Sequence, residues 1–88
     1  MTTGEVWICF SRISSELIGL TYSFEVGDKV IITETYCFDT YNCNGKTYRY
    51  AYRVWFKKIK NEKVEYGKVY WLMDFIFLKH FERILLKK

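Results

Sequence analysis

Hydrophobic and polar positions alternate along most of this chain, most clearly from Thr47 to Lys60, TYRYAYRVWFKKIK. A period of two sets Tyr48, Tyr50, Tyr52, Val54 and Phe56 on one face, with Arg49, Ala51, Arg53, Trp55 and Lys57 on the other. This predicts an extended strand with a buried face and a charged face that keeps one indole. Earlier, Val6, Ile8 and Phe10 alternate with Trp7, Cys9 and Ser11, which predicts a first strand over Glu5–Arg12. Ser14 or Ser15 can cap a helical turn through Glu16–Ile18, and Gly19 keeps it short. Gly27-Asp28 is a turn signal, after which Lys29–Phe38 is again rich in strand formers.

Asn44-Gly45 is the strongest local signal, because both residues accept the positive φ of a type I′ hairpin turn. Such a loop pairs Cys43 with Lys46, Tyr41 with Tyr48, Cys37 with Tyr52 and Glu34 with Trp55. Without correction it also puts Ile32, Tyr36 and Phe38 on the face of Arg49, Arg53 and Lys57. A bulge or a bend in the long strands is therefore expected. Asn61-Glu62 can close a second hairpin, pairing Lys60 with Lys63, Val54 with Val69 and Tyr52 with Trp71. On the opposite face this register sets Tyr70, Lys68 and Tyr66 across from Arg53, Trp55 and Lys57.

The tail from Met73 reads in two ways. Asp74 can cap a helix with Phe77, Phe81, Ile84 and Leu85 on one stripe, closed by Lys87 and Lys88. Alternatively, Phe75–Leu78 is a strand, Lys79–Phe81 a helical turn and Glu82–Leu86 a last short strand. FEVGDKVII at Phe24–Ile32 resembles the opening strand of SH3-like small barrels, Tudor and KOW types among them. FLKHFERI at Phe77–Ile84 is similar to their closing turn and strand. The resemblance covers seventeen residues. It implies a fold whose members bind peptides, DNA, RNA or modified tails, and so implies no single function. The fold class expected is mainly β, an antiparallel meander or small SH3-like barrel of about five strands with a short C-terminal helix or helical turn.

Length limits this to one domain, residues 1–88, with a single modest core. Eight Tyr, seven Phe and three Trp fill such a core with few residues and rule out a disordered chain. The absence of Pro and Gln beside abundant Lys, Ile, Tyr and Phe suits an AT-rich coding sequence, as in a phage or mobile element. The net charge of +4 is unevenly spread. Residues 1–45 hold two basic against six acidic side chains, a balance of −4; residues 46–88 hold twelve against four, a balance of +8. That split favours an acidic partner for the second half. Residues 1–5 lack a signal-peptide pattern, and the longest apolar run, near Trp71–Leu78, is broken by Asp74. The expected location is the cytoplasm, that of the host if a phage carries the gene, with no membrane contact.

Candidate chemistry is sparse. Cys9, Cys37, Cys43 and His80 lack the paired spacing of a structural zinc site, so no metal or cofactor is expected. No phosphate loop, nucleophile elbow or paired carboxylate appears, and the chain is read as non-catalytic. What remains is the lattice of Arg49, Arg53, Trp55, Lys57, Tyr66, Lys68 and Tyr70, where cations and rings alternate as nucleic acid requires. The primary expectation is a small module that binds DNA or RNA through this face. Tyr, Trp and Arg also anchor protein interfaces, so the alternative is a phage-type, anti-defence inhibitor whose partner is an acidic surface on a host protein or nucleoprotein complex. A homodimer through an unpaired edge or the apolar tail is a third reading.

Overall fold

The computed structural model describes residues 1–13 and 23–84. The helical turn expected at Ser14–Ile18 and the tail positions Leu85, Lys87 and Lys88 lie outside the described residues. In chain order the elements are β1 (Val6–Cys9), β2 (Lys29–Cys43), β3 (Lys46–Lys60), β4 (Lys63–Val64), β5 (Tyr70–Met73), α1 (Asp74–Phe77) and β6 (Phe81–Arg83). Among the described residues the protein is mainly β. Six strands form an antiparallel sheet in the order β4-β3-β2-β1-β6, with β5 also paired to β3.

The centre is the β2–β3 hairpin, and the turn chemistry sets it. Asn44 and Gly45 take φ of 50° and 79°, the left-handed pair that a type I′ turn needs. The register follows as expected: Cys43 opposite Lys46, Tyr41 opposite Tyr48, Cys37 opposite Tyr52 and Glu34 opposite Trp55. For Ile32 the conflict between faces is relieved by a bulge at Thr33, beyond which Ile32 lies opposite Phe56, while Tyr36 and Phe38 stay on the face of Arg53. The extra residue rotates Val30 and Ile32 onto the side of Val54 and Phe56, and all four are buried.

A second irregularity lies further out. The ladder passes from Phe38–Ala51 to Thr40–Arg49 without an Asp39–Tyr50 pair, and Tyr50 has φ 59°. Alternation breaks there. The Phe38 ring meets Tyr41, with centroids 5.7 Å apart, and Ala51 rather than Tyr50 or Tyr52 is buried. The buried face read from Tyr48 to Phe56 is thus correct for Val54 and Phe56 only. Strands of fifteen residues would extend about 50 Å at the usual rise. The longest dimension of the molecule is 40 Å, so the hairpin coils.

Rings fill the core. Phe56 meets Phe24, Tyr70, Phe77 and Phe81, with centroids 5.2 to 6.1 Å away. Phe77 stacks on Phe81 at 4.6 Å, and Trp7 meets Phe77 edge-on at 5.2 Å. In β1 it is Trp7 and Cys9 that point inward, while Phe10 is exposed.

The tail combines the two readings. Asp74 opens a helix of one turn, but Met73 is the N-cap, and the Asp74 carboxylate instead accepts the Phe75 amide at 2.9 Å. The chain then turns and β6 pairs with β1, Cys9 opposite Phe81 and Trp7 opposite Arg83. Ending the helix early gives β1 backbone partners on its second side and still buries both Phe77 and Phe81.

The second hairpin departs from the expected register. Lys60 does pair with Lys63, and Ile59 with Val64. Val54 then faces Leu72 rather than Val69, and Trp55 rather than Tyr52 faces Trp71. Residues Glu65–Val69 form a loop with Gly67 at φ 82°, which shifts β5 by three positions. A shift by an odd number exchanges faces. Tyr70 and Leu72 thereby close the core over Phe56 and Val54, and Trp71 moves to the other side.

Candidate functional site

The outer face of β3 carries Arg53, Trp55 and Lys57, as strand periodicity requires. The slip of β5 brings Trp71 directly opposite Trp55, so two indoles form a cross-strand pair on this face. From β2, Phe38 is the third ring. The Arg53 guanidinium lies 4.3 Å from the Trp71 ring centre, 5.3 Å from Phe38 and 5.6 Å from Trp55. Each such contact is worth about 0.5–2 kcal/mol, more as water is excluded. Its Nε is buried and has no hydrogen-bond partner among the described residues. The guanidinium is thus held among three rings.

Of the seven residues singled out from sequence, the structure brings together Arg53 and Trp55, with Lys57 two residues further along the same face. The other four lie elsewhere. Arg49 is exposed beyond the ladder break, with its guanidinium 6.0 Å from the Tyr50 ring. Tyr66 sits in the loop that the slip creates, 99% exposed, and Lys68 is exposed in the same loop. Tyr70 is on the core side, 5.2 Å edge-on to Phe24. The lattice expected from Tyr66, Lys68 and Tyr70 opposite Lys57, Trp55 and Arg53 is not formed, because their register moved by three. Trp71 and Phe38 were missed. Leu72 supplied a signal for Trp71, since a register that buries Leu72 over Val54 turns its neighbour Trp71 outward.

The charge separation takes a definite form. Among the described residues, three ion pairs link separate segments: Arg12–Glu25 at 3.0 Å, Lys58–Asp28 at 3.2 Å and Arg83–Glu5 at 3.4 Å. Lys57, Lys60, Lys63 and Lys68, along and beside the outer edge of β3, have no ion-pair partner among the described residues. Lys57 continues the aromatic cluster on the outer face, whereas Lys60 and its cross-strand partner Lys63 have the parity of Phe56 and Lys58 and lie on the opposite side of the strand.

The remaining reactive groups are accounted for structurally. His80 Nδ1 is 2.9 Å from the Ser11 carbonyl, which can only accept, so that nitrogen carries the proton. Burial pushes the Cys9 thiol up, which disfavours the reactive thiolate. A hydrogen bond and the charge of Cys37 raise the Tyr52 hydroxyl. Burial pulls the Glu5 carboxyl upward, but hydrogen bonds from Thr2 and Trp7, with the Arg83 charge, outweigh it and leave the group below the ordinary carboxylate range. No group of His, Cys, Asp or Glu among the described residues is arranged to hold a metal ion. No helix among them is long and apolar enough to cross a membrane. Comparison with known protein families, curated proteins and solved structures finds no match to this chain.

Proposed function

We propose that this protein is a non-catalytic module that binds single-stranded nucleic acid on the outer face of β3 and β5. The observation that carries the reading is the Trp55–Trp71 pair around Arg53. Two partly accessible indoles offer stacking surfaces for unpaired bases, and the guanidinium rim between them suits a phosphate. Lys57, on the same face, adds a cation for the backbone, which any base sequence supplies. Support for an SH3-like barrel comes from the strand, one-turn helix, strand order at the chain's end, where the sequence resembles such barrels. On this reading the protein works in the cytoplasm, that of the host where a phage carries the gene.

The test is fluorescence anisotropy with labelled single-stranded DNA and RNA over a salt series. Affinity should fall linearly in log–log form as salt rises. Trp55→Ala and Trp71→Ala should each weaken binding roughly five- to a hundredfold, the loss of one stacked base. Arg53→Lys should weaken it as well, since an ammonium cannot lie flat between rings. Wild-type protein that fails to bind at low salt rejects the reading. The exposed Tyr50 and Tyr52 favour a second reading, in which a host protein is the partner of an anti-defence inhibitor. A pull-down from host lysate after nuclease treatment separates the two: a partner that survives favours the protein, and loss of all partners favours nucleic acid.

A further inference from the structure

Among the described residues, one edge of the sheet is left open by the chain's own strands. β1 covers β2 along Lys29–Ile31. The N-terminal segment continues that cover through Gly4 N–H to Ile32 O (2.8 Å), Ile32 N–H to Glu5 O (2.9 Å) and the Thr3 hydroxyl to Thr33 O (3.4 Å). From Glu34 onward no strand among the described residues lies on that side of β2. Between the bulge at Thr33 and the ladder break at Asp39 this leaves a segment of unbroken pairing to β3, Glu34–Phe38, ETYCF. It contains neither the Lys nor the Pro with which exposed edges are commonly blunted. Tyr36, at its centre, is 57% exposed.

The near end of the hairpin shows which backbone groups face out. The Ile32 amide and carbonyl and the Thr33 carbonyl reach the N-terminal segment, and the Lys58 carbonyl turns away from β2 to accept the Glu65 amide at 2.7 Å. Glu34, Tyr36 and Phe38 therefore bond to Trp55, Arg53 and Ala51 of β3, while Thr35 and Cys37 direct their N–H and C=O groups to the open side. We infer that Glu34–Phe38 pairs antiparallel with the same segment of a second copy of this chain, about a twofold axis at Tyr36. In that register Tyr36 meets Tyr36 of the second copy, Thr35 meets Cys37, and Glu34 meets Phe38. No like charges lie opposite. Charge selects the occupant: Glu34 has no ion-pair partner among the described residues, and Phe38 carries the Arg53 guanidinium against its ring. Pairing brings each Glu34 towards Arg53 of the other copy, twice per dimer. An unrelated strand would have to supply a cation and a carboxylate at the same two places. The twofold supplies both and closes the assembly at two chains. This inference does not rest on the nucleic-acid reading.

The test is analytical ultracentrifugation of the full chain across a concentration series under reducing conditions. A monomer–dimer equilibrium is expected. Tyr36→Lys puts two ammonium groups at the axis and Glu34→Lys opposes the second copy's Arg53. Each change is made twice per dimer and should weaken association about tenfold or more. Both positions are exposed, so near-ultraviolet circular dichroism should match wild type. For the register itself, Thr35→Cys should oxidise to a covalent dimer through Cys37 of the second copy, and the added Cys37→Ser change should abolish it. A single monomeric species throughout overturns the inference. So does a dimer indifferent to both lysine variants, or Thr35→Cys protein that oxidises without linking two chains.

Discussion

The near and far halves of the β2–β3 hairpin share strands, turn and hydrogen-bond ladder, yet they are held by different forces. The near half, Val30–Ile32 with Val54–Phe56, is sealed beneath β1, β5, α1 and β6, and its inward side chains are fully buried. The far half, Glu34–Cys43 with Lys46–Tyr52, is close to a free ribbon. A ribbon of two strands is marginal in water unless something packs on it. Here that is a thin ring chain: Phe75 from α1 stacks on Tyr48 at 4.1 Å and 5°, and Tyr41 and Phe38 continue it. Stability sits in the near half, while the far half and the β3–β5 face carry the rings left available for contact. Recognition surfaces can be apolar when the core elsewhere supplies the folding energy.

The strongest way to break this contrast is Phe56→Ala. It removes the ring that four others surround, and the expected loss is about 3–5 kcal/mol. Denaturant unfolding should show it, and Tyr52→Ala, at an exposed position one turn of the ladder outward, should cost well under half of that. Equal losses would mean that the two halves form one cooperative core. A smaller effect, about 1–2 kcal/mol, is expected of Phe75→Ala, which removes a half-buried stacked ring. Its signature is local. Hydrogen exchange should quicken at the amides of Tyr41 and Tyr48 but not at Val54 or Phe56. Uniform quickening would refute an independently anchored arm.

How much of this was legible follows the same division. Asn44-Gly45 dictates a turn geometry locally, so the register from Cys43–Lys46 to Glu34–Trp55 could be read off, though not the missing Asp39–Tyr50 pair within it. The clash of Ile32 with Arg49 and Lys57 even announced a correction, found at Thr33. The second hairpin was misread because a turn constrains register only while the ladder is unbroken. Nothing local marks Glu65–Val69 for expulsion. The advantage of seating Tyr70 between Phe24 and Phe56 is a tertiary effect, made by residues more than thirty positions away in the chain for Phe24. The candidate site inherits that division. Arg53, Trp55 and Lys57 come from period alone and the face of Phe38 from the hairpin register, whereas Trp71 comes from packing.

At the near end, Glu5 links the N-terminal segment to β1 and β6 by accepting from Thr2 at 2.9 Å and Trp7 at 3.3 Å and pairing with Arg83. Its carboxyl titrates below its ordinary value in the folded protein, so folding favours the charged form. The stabilisation is complete above the unfolded pKa, about 4.3, and disappears as pH falls through the lower folded value. Glu5→Gln should lower the melting temperature by a few degrees at neutral pH and flatten its decline in acid. An acid limb unchanged by the substitution would assign acid sensitivity to other carboxylates.

The smallest expected effect separates the two turns that bound β3. Asn44-Gly45 places a glycine where φ is 79°, but Asn61-Glu62 demands φ of 49° and 64° from residues with side chains. A non-glycine residue in this region costs roughly 1–2 kcal/mol, and glycine gives back about 0.5–1 kcal/mol through its looser unfolded state. Glu62→Gly should therefore stabilise the protein by about 0.5 kcal/mol, and Gly45→Ala should destabilise it by more. Glu62 is exposed, so no packing is lost. Opposite signs at the two turns are the result that counts. If Glu62→Gly instead lowers the denaturant midpoint, the left-handed pair at Asn61-Glu62 does not persist in solution, and the slip of β5 that begins just beyond it loses its anchor.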